Sequence, residues 1–391
     1  MQYRRFGGTG LSVSALGFGT MRLPTLDNKP MSKKIDVSET TQMVRHAIDE
    51  GVNYIDTAFP YHRGKSESVL GKILTEGYRD RIMLATKSPE WLIKRQTDFD
   101  KYLDEQLKRL RTDYIDFYLF HGLNAKSWKK KVLRLGLLKR AVAAQKAGKI
   151  NNIGFSFHDD FRVFKEIVDG FDGWSFCQIQ YNYMDTENQA GTKGLRYAAS
   201  KGLGVVIMEP LLGGRLSEPP KEIRDVLRSA GPRISPSDLA LQWIWNQPEV
   251  SVVLSGMSTM SQVRANLRSA DKSGVGTMPS ERLDLIKKVK RRYSAMRPIP
   301  CTKCGYCMPC PNGVDIPKNF EEYVDAFIHR DLRPGRATYE RFFGPKTRAS
   351  SCKQCRKCEE KCPQKIRISE WMPEVHQVLG LGRPFRRVAR S

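Results

Sequence analysis

The stretch that decides the fold runs Ile82-Met83-Leu84-Ala85-Thr86-Lys87, then the segment from Asp98 to Leu110, then Tyr114-Ile115-Asp116-Phe117-Tyr118-Leu119-Phe120. The first and last runs are short, mostly apolar and bounded by polar or turn residues, as expected of parallel strands buried on both faces. The segment between them places Phe99, Leu103, Leu107 and Leu110 at helix spacing, which gives one apolar face.

The same alternation extends in both directions. Before it lie Ala15-Leu16-Gly17-Phe18-Gly19 and Tyr54-Ile55-Asp56. After it come Asn152-Ile153-Gly154-Phe155, Cys177-Gln178-Ile179-Gln180, Val205-Val206-Ile207-Met208 and Val250-Ser251-Val252-Val253-Leu254. Eight strand–helix units predict an α/β chain folded as a (β/α)8 TIM barrel. A doubly wound sheet is the competing arrangement. The eight regular units argue against it, as does the lack of a Gly-rich dinucleotide fingerprint after the first strand. Residues before Ala15 read as a small hairpin turning at Gly7-Gly8-Thr9-Gly10. Two helical stretches follow the eighth strand, and the paired prolines of Arg297-Pro298-Ile299-Pro300 then disfavour helix. That linker divides the chain into a barrel, 1–296, and a small domain, 297–391, in which Lys318 to Phe343 reads as helical and aromatic-rich.

Eight of the nine cysteines fall in the small domain. Cys301, Cys304, Cys307 and Cys310 precede Pro311, and Cys352, Cys355, Cys358 and Cys362 precede Pro363. The second run has the C-x2-C-x2-C-x3-C-P spacing that wraps thiolates around a [4Fe–4S] cluster, and the first is one residue shorter before its last cysteine. Structural zinc also takes four thiolates, but usually as two C-x2-C pairs separated by a longer loop. Disulfides require an oxidising compartment, and the N-terminal residues have no apolar core of signal-peptide length, so a cytoplasmic protein is expected. The expectation is two clusters and one-electron chemistry in a mainly helical, ferredoxin-like domain. Cys177 sits in an apolar run and reads as buried and inert.

A chain of 391 residues holds one large domain of about 300 residues and a small one of about 90. Its 40% hydrophobic content is that of a soluble globular protein, and no apolar run is long enough to span a bilayer. The net charge of +24 favours acidic partners, nucleic acid or anionic surfaces. The charge is densest at Lys126 to Arg140, Arg282 to Arg297 and Arg383 to Arg390. No recognition-helix pattern or RNA-binding aromatic motif accompanies it, so specific nucleic-acid binding is not expected. Phosphorylated cofactors and acidic redox proteins suit the charge better.

Chemistry in such barrels sits at the C-terminal ends of the strands. Those ends supply Asp56, Lys87 and His121, and Tyr61 follows in the loop after Asp56. Asn53-Tyr54-Ile55-Asp56-Thr57-Ala58 with Tyr61, Ala85-Thr86-Lys87 and Leu119-Phe120-His121 resemble the catalytic motifs of the aldo-keto reductase superfamily. The likeness covers about residues 1 to 290, and with the cysteine tail the chain resembles the branch carrying a C-terminal ferredoxin-like 4Fe–4S domain. The resemblance implies reduction of an aldehyde or ketone by NAD(P)H. Tyr61 would be the general acid, Lys87 the cation that makes a phenol of ordinary pKa ~10 useful near neutrality. Asp56 would hold and charge-balance Lys87, and His121 would orient the carbonyl or help relay the proton.

The resemblance also implies a cofactor set. Gly19, Thr20 and Met21 follow the first strand on the ribose and nicotinamide side. Ser156 and Gln180 fall at the carboxamide contacts, and Met208 falls where many members stack an aromatic. Pro210, Leu211 and Gly213 fit a pyrophosphate turn. Ser255, Gly256 and Met257, with Gln262 and Asn266, fall where the family grips adenosine. Arg264 and Arg268 lie nearby, and the choice between NADP(H) and NAD(H) stays open. From two-cluster ferredoxins the resemblance implies that Cys310 joins Cys352, Cys355 and Cys358, while Cys362 joins Cys301, Cys304 and Cys307.

Hydride chemistry moves two electrons and a cluster moves one. The clusters could therefore couple to the barrel site, serve docking of an acidic ferredoxin or flavodoxin, or be structural. A barrel phosphate site could accept FMN, although no motif indicates it. The alternative function is a ferredoxin-linked electron-transfer or redox-sensing protein whose barrel binds a nicotinamide or flavin without significant carbonyl turnover.

Overall fold

The computed structural model describes residues 1–231 and 234–385, so the basic tail beyond Phe385 lies outside the described residues. The chain divides into two compact units, residues 1–217 with 235–283 and residues 218–234 with 284–391. The first unit is a closed eight-stranded parallel barrel.

A hairpin of β1 (Tyr3–Arg5) and β2 (Ser12–Ser14) precedes the barrel. The barrel strands are β3 (Leu16–Gly19), β4 (Tyr54–Asp56), β5 (Met83–Ser88), β6 (Ile115–Leu123), β7 (Ile150–Phe157), β8 (Phe176–Gln180), β9 (Gly204–Met208) and β10 (Val252–Gly256). Each pairs with its neighbour in sequence, and β10 closes on β3 with Gly256 opposite Gly19. The helix between β5 and β6 is Asp98–Leu110, and its buried residues include Phe99, Leu103, Leu107 and Leu110. Strand periodicity of two divides the barrel side chains into an outer set facing the helices and an inner set. The lower interior holds Phe117, Leu119, Phe176, Val206, Val252 and Leu254 with Tyr54, all buried. The hairpin closes this end. Its Phe6 ring lies 4.5 Å from Phe117 and 5.5 Å from Phe176, between centroids. Gly7 takes φ +53° directly against the backbone of residues 202–204, where a Cβ would collide. Two residues further up β4, β5 and β8, beyond Tyr54, Ala85 and Phe176, the positions become the polar Asp56, Lys87 and Gln178.

Strand β6 runs three residues beyond Phe120, and its pairing with β7 shifts register between Phe120 and Leu123. His121 therefore sits within an irregular strand end instead of just after it. Among the described residues, no helix is long and apolar enough to cross a membrane.

The second unit has its own core, including Phe320, Tyr323, Tyr339, Met372, Val375 and Leu379. The stretch read as one helical region is two helices, Ile316–His329 and Leu332–Phe342. Arg330 in the left-handed region ends the first, and Asp331 caps the second by accepting the Arg333 N–H. A left-handed residue cannot continue a right-handed helix, so the break is set locally.

Candidate active site and cysteine cavities

The upper barrel interior gathers the charged residues of the site. Asp56 ends β4 and Lys87 lies near the end of β5, 2% and 1% exposed. The Lys87 ammonium donates to both Asp56 carboxylate oxygens, at 2.7 and 2.8 Å, and to the Thr57 carbonyl at 2.8 Å. It also lies 3.4 Å from the Tyr61 hydroxyl. Gln178, on β8, donates its amide to Asp56 at 3.2 Å. A charge pair this deep persists only because each partner is fully hydrogen-bonded.

Burial works to lower the Lys87 pKa, but Asp56 and Tyr61 outweigh it and hold the ammonium above its ordinary value. Burial pushes the Asp56 carboxyl up, with Lys87 and Gln178 pulling against it. Tyr61 feels burial as well as the Lys87 charge. Burial outweighs the Lys87 charge, and the phenol sits above its ordinary value. A neighbouring cation was visible in the sequence, but the desolvation opposing it was not. Tyr61 thus keeps its proton near neutrality.

Tyr61 opens a turn in which His62, Arg63 and Gly64 all have positive φ, at +50°, +53° and +86°. Such backbone costs roughly 1–2 kcal/mol per non-glycine residue and persists where the surroundings over-determine it. The buried His62 ring helps through its contact with the Ser32 carbonyl at 2.8 Å.

His121 stands beside Tyr61 with ring centroids 6.3 Å apart, and the Trp91 ring lies 5.3 Å from it. Burial, followed by the Lys87 charge, lowers the His121 pKa well below its ordinary value, so the imidazole is neutral. Glu90 is 2% exposed and accepts the His121 backbone N–H at 2.8 Å. Burial raises its carboxyl well above the usual range. Glu90 Oε2 and His121 Nδ1 are both buried without a hydrogen-bond partner.

The residues of the implied cofactor set lie at the same end of the barrel, on or just beyond the strand ends. Several have internal partners. Thr20 donates to the Asp56 carbonyl at 3.0 Å and receives the Ser66 hydroxyl at 2.8 Å. Ser156 accepts the Gly122 N–H at 2.7 Å. Gln180 turns toward Asp185 and Gln189, while Gln178 reaches Asp56. Asn266 donates to Ser255 at 2.8 Å with both side chains buried, and Gln262 accepts the Ser258 N–H at 2.8 Å. Met257 is buried, Pro210 is buried, and Met21 is exposed. Met208 and Leu211 are half-buried. Arg264 and Arg268 are exposed on the helix Met260–Asp271.

Gly213 and Gly256 come together around an arginine that the sequence did not single out. A Cβ on Gly256 would lie 3.4 Å from the Arg22 side chain, and one on Gly213 would lie 3.7 Å from its guanidinium. A strand end and a turn, both without side chains, thus flank an exposed cation, a cradle suited to a phosphate. Gln178, Glu90, Trp91 and Arg22 escaped notice because each needs a partner far off in sequence to acquire meaning.

In the second unit, the cysteines line two cavities. One is bordered by Cys301, Cys304, Cys307 and Cys362, with Phe320 and Ile366. The other is bordered by Cys310, Cys352, Cys355 and Cys358, with Ile316 and Ile368. Each takes three cysteines from one run and one from the other. Burial and neighbouring thiols push Cys307 and Cys358 up to about 11. The Cys352 sulfur accepts the Gln354 N–H at 3.4 Å, and the Asn312 amide lies 3.8 Å from the Cys355 sulfur. Among the described residues, no group of three His, Cys, Asp or Glu side chains is placed to hold a single metal ion. Four thiols ringing a cavity suit a cluster, whose sulfur ligands stand apart around a cube of iron and sulfide.

A parallel barrel with a buried acid–base group at its open end, followed by a cysteine unit, defines an oxidoreductase with an iron–sulfur domain. Residues 15–278 match the aldo/keto reductase family, and residues 300–367 match the 4Fe-4S dicluster domain. The chain belongs to the aldo/keto reductase family. L-galactose dehydrogenase of Arabidopsis thaliana is 29% identical over 313 residues, spanning 74% of this chain and 94% of the relative. The 6-dehydroglucose reductase of Novosphingobium aromaticivorans is 26% identical over 280 residues, 67% of this chain and 88% of the relative. An aldo-keto reductase of Bacillus halodurans, solved in its holo form, superposes with a TM-score of 0.60 at 25% identity. The match covers 74% of this chain and 96% of that structure.

Proposed function

We propose that the barrel reduces an aldehyde or ketone with NAD(P)H, and that Tyr61 is its proton donor. The observation that carries this reading is the Lys87 ammonium, held by Asp56 and placed 3.4 Å from the Tyr61 hydroxyl in a desolvated pocket. NAD(P)H, when bound, supplies the hydride. Tyr61 Oη donates its proton to the substrate oxygen, and Lys87 stabilises the phenolate that remains. Asp56 keeps Lys87 charged and in place. His121, neutral, offers a ring nitrogen to orient the substrate oxygen, and Trp91 walls the same side. Arg22 between Gly213 and Gly256 would meet the cofactor's phosphates. The cysteine unit would hold two [4Fe–4S] clusters, one per cavity.

The names of two relatives point to sugar carbonyls as the first substrates to assay, including galactose- and glucose-derived ones. The test is NAD(P)H-dependent turnover across an aldehyde, ketone and sugar panel with Tyr61→Phe as control. A general acid contributes roughly 10²–10⁴-fold, so kcat should fall by that order while folding is retained. Unchanged turnover in Tyr61→Phe would remove Tyr61 from the mechanism.

A further inference from the structure

The two cysteine cavities each expose one sulfur-bearing residue, Cys304 and Cys355, and differ in the charge beside it. At the cavity of Cys301, Cys304, Cys307 and Cys362, Lys303 is neutralised by Glu321 at 2.7 Å. The exposed residue between Cys304 and Cys307 is the uncharged Tyr306, 65% exposed. At the other cavity, the exposed Cys355 lies in a loop that presents Lys353, Arg356 and Lys357 to solvent. Among the described residues, these three form no ion pair. Glu359, the acidic residue closest to them in sequence, accepts the Ser369 N–H at 2.7 Å.

The loop is also held in shape. Gln354 and Arg356 take φ of +52° and +61°, and the Gln354 side chain donates to the Ser369 carbonyl at 3.1 Å. Left-handed residues on both sides of Cys355 turn the chain sharply, with cations flanking an exposed sulfur. An exposed ligand sulfur leaves little insulating protein between a cluster and an outside donor. Unpaired cations beside it attract an anionic partner and hasten encounter.

We propose that the Cys355 loop docks a small acidic one-electron carrier protein, and that electrons pass between carrier and chain at the cluster bound by Cys310, Cys352, Cys355 and Cys358. This rests on the reading that these cysteines hold a [4Fe–4S] cluster. In the step, the reduced carrier loses one electron and the cluster gains it; no bond forms or breaks. Nucleic acid would also meet the cations, but it makes no use of the exposed thiolate at their centre.

The test uses the full chain, purified anaerobically, with a reduced acidic [2Fe–2S] ferredoxin as probe. The loop variant is K353E/R356E/K357E. The control, K288E/R291E/R292E, makes the same charge change at exposed positions of the helix Ser280–Ala295. Calorimetry gives the affinity, and stopped-flow bleaching gives the cluster reduction rate, each at low and high salt. Steered association runs roughly 10–10³ above the unsteered rate, so the loop variant should lose at least about tenfold in rate, and its salt dependence with it. The control should lose much less. Equal losses in the two variants would overturn the docking site, as would displacement of the carrier by DNA of equal charge concentration. Iron and sulfide analysis and dithionite bleaching separate the two readings. Protein without iron removes the cluster assignment and this inference with it. Intact, dithionite-reducible clusters with no carrier binding remove the docking site alone.

Discussion

Lys87→Met should make the barrel's stability depend steeply on pH. The substitution removes three hydrogen bonds of 2.7–2.8 Å, two to Asp56 and one to the Thr57 carbonyl. Asp56 stays buried with Gln178 as its remaining side-chain partner. Breaking a buried ion pair from one side costs about 3–5 kcal/mol. Protonation of Asp56 limits that cost. Carrying a carboxyl of ordinary pKa ~3.9 as the neutral acid at pH 7 costs 1.36 kcal/mol per unit, or about 4 kcal/mol. The sign follows from the direction of the shift. Burial already raises the folded Asp56 pKa, and losing Lys87 moves it further the same way. Above the unfolded value of ~3.9 the unfolded chain releases this proton while the folded variant keeps it, so stability falls as pH rises until the folded pKa is passed. The variant should therefore lie close to the native protein near pH 4–5 and about 4 kcal/mol below it near pH 7. Urea denaturation followed by circular dichroism across that range measures this, and Lys87→Met/Asp56→Asn should recover most of the loss at neutral pH. A deficit independent of pH, or a double variant no better than the single, would refute the buried-pair reasoning.

Glu90→Leu should lower kcat by about tenfold or more by freeing the His121 backbone, whereas Glu90→Gln, which keeps an acceptor oxygen, should stay within a few-fold. Steady-state kinetics separating kcat from KM checks this. Gly64→Ala forces a Cβ into φ +86° with no steric clash nearby, so it should cost about 1–2 kcal/mol of barrel stability in a urea titration. The shared cavities predict a pattern of iron loss. Cys310→Ala and Cys352→Ala should each deplete the same cluster, and the double variant should lose little more iron than either single one. Cys310→Ala with Cys301→Ala should deplete both clusters. Iron and sulfide per chain decide it; additive loss for Cys310 with Cys352 would contradict the shared cavity.

Much of the barrel was legible because a parallel strand buried on both faces leaves a dense apolar run, and eight such runs are hard to mistake. Asp56, Tyr61, Lys87 and His121 stand out in the sequence because strand ends are the functional face of this architecture, and the structure brings them together. Both cysteine runs were legible from spacing alone. The exchange of Cys310 and Cys362 between them came through resemblance, and the lining of the two cavities has the same arrangement. What the sequence leaves open shares a physical origin. For Tyr61 the sequence shows the neighbouring Lys87 but not the burial that opposes it. The helical stretch from Lys318 to Phe343 is broken at Arg330, and a left-handed cap has no strong signature when the residue is not glycine.

The sequence by itself determined the repeating unit, the chemistry-bearing residue types and the order in which they occur, since periodicity and spacing are local properties of the chain. Only the tertiary structure decided which of those residues share a desolvated space. It set Gln178 on Asp56, Glu90 under His121 and Arg22 between Gly213 and Gly256. Among the described residues, it also left Lys353, Arg356 and Lys357 without a salt bridge around an exposed Cys355 while tying Lys303 to Glu321. Burial and pairing depend on groups brought together from distant parts of the chain, and those two quantities set the charge and protonation of each group.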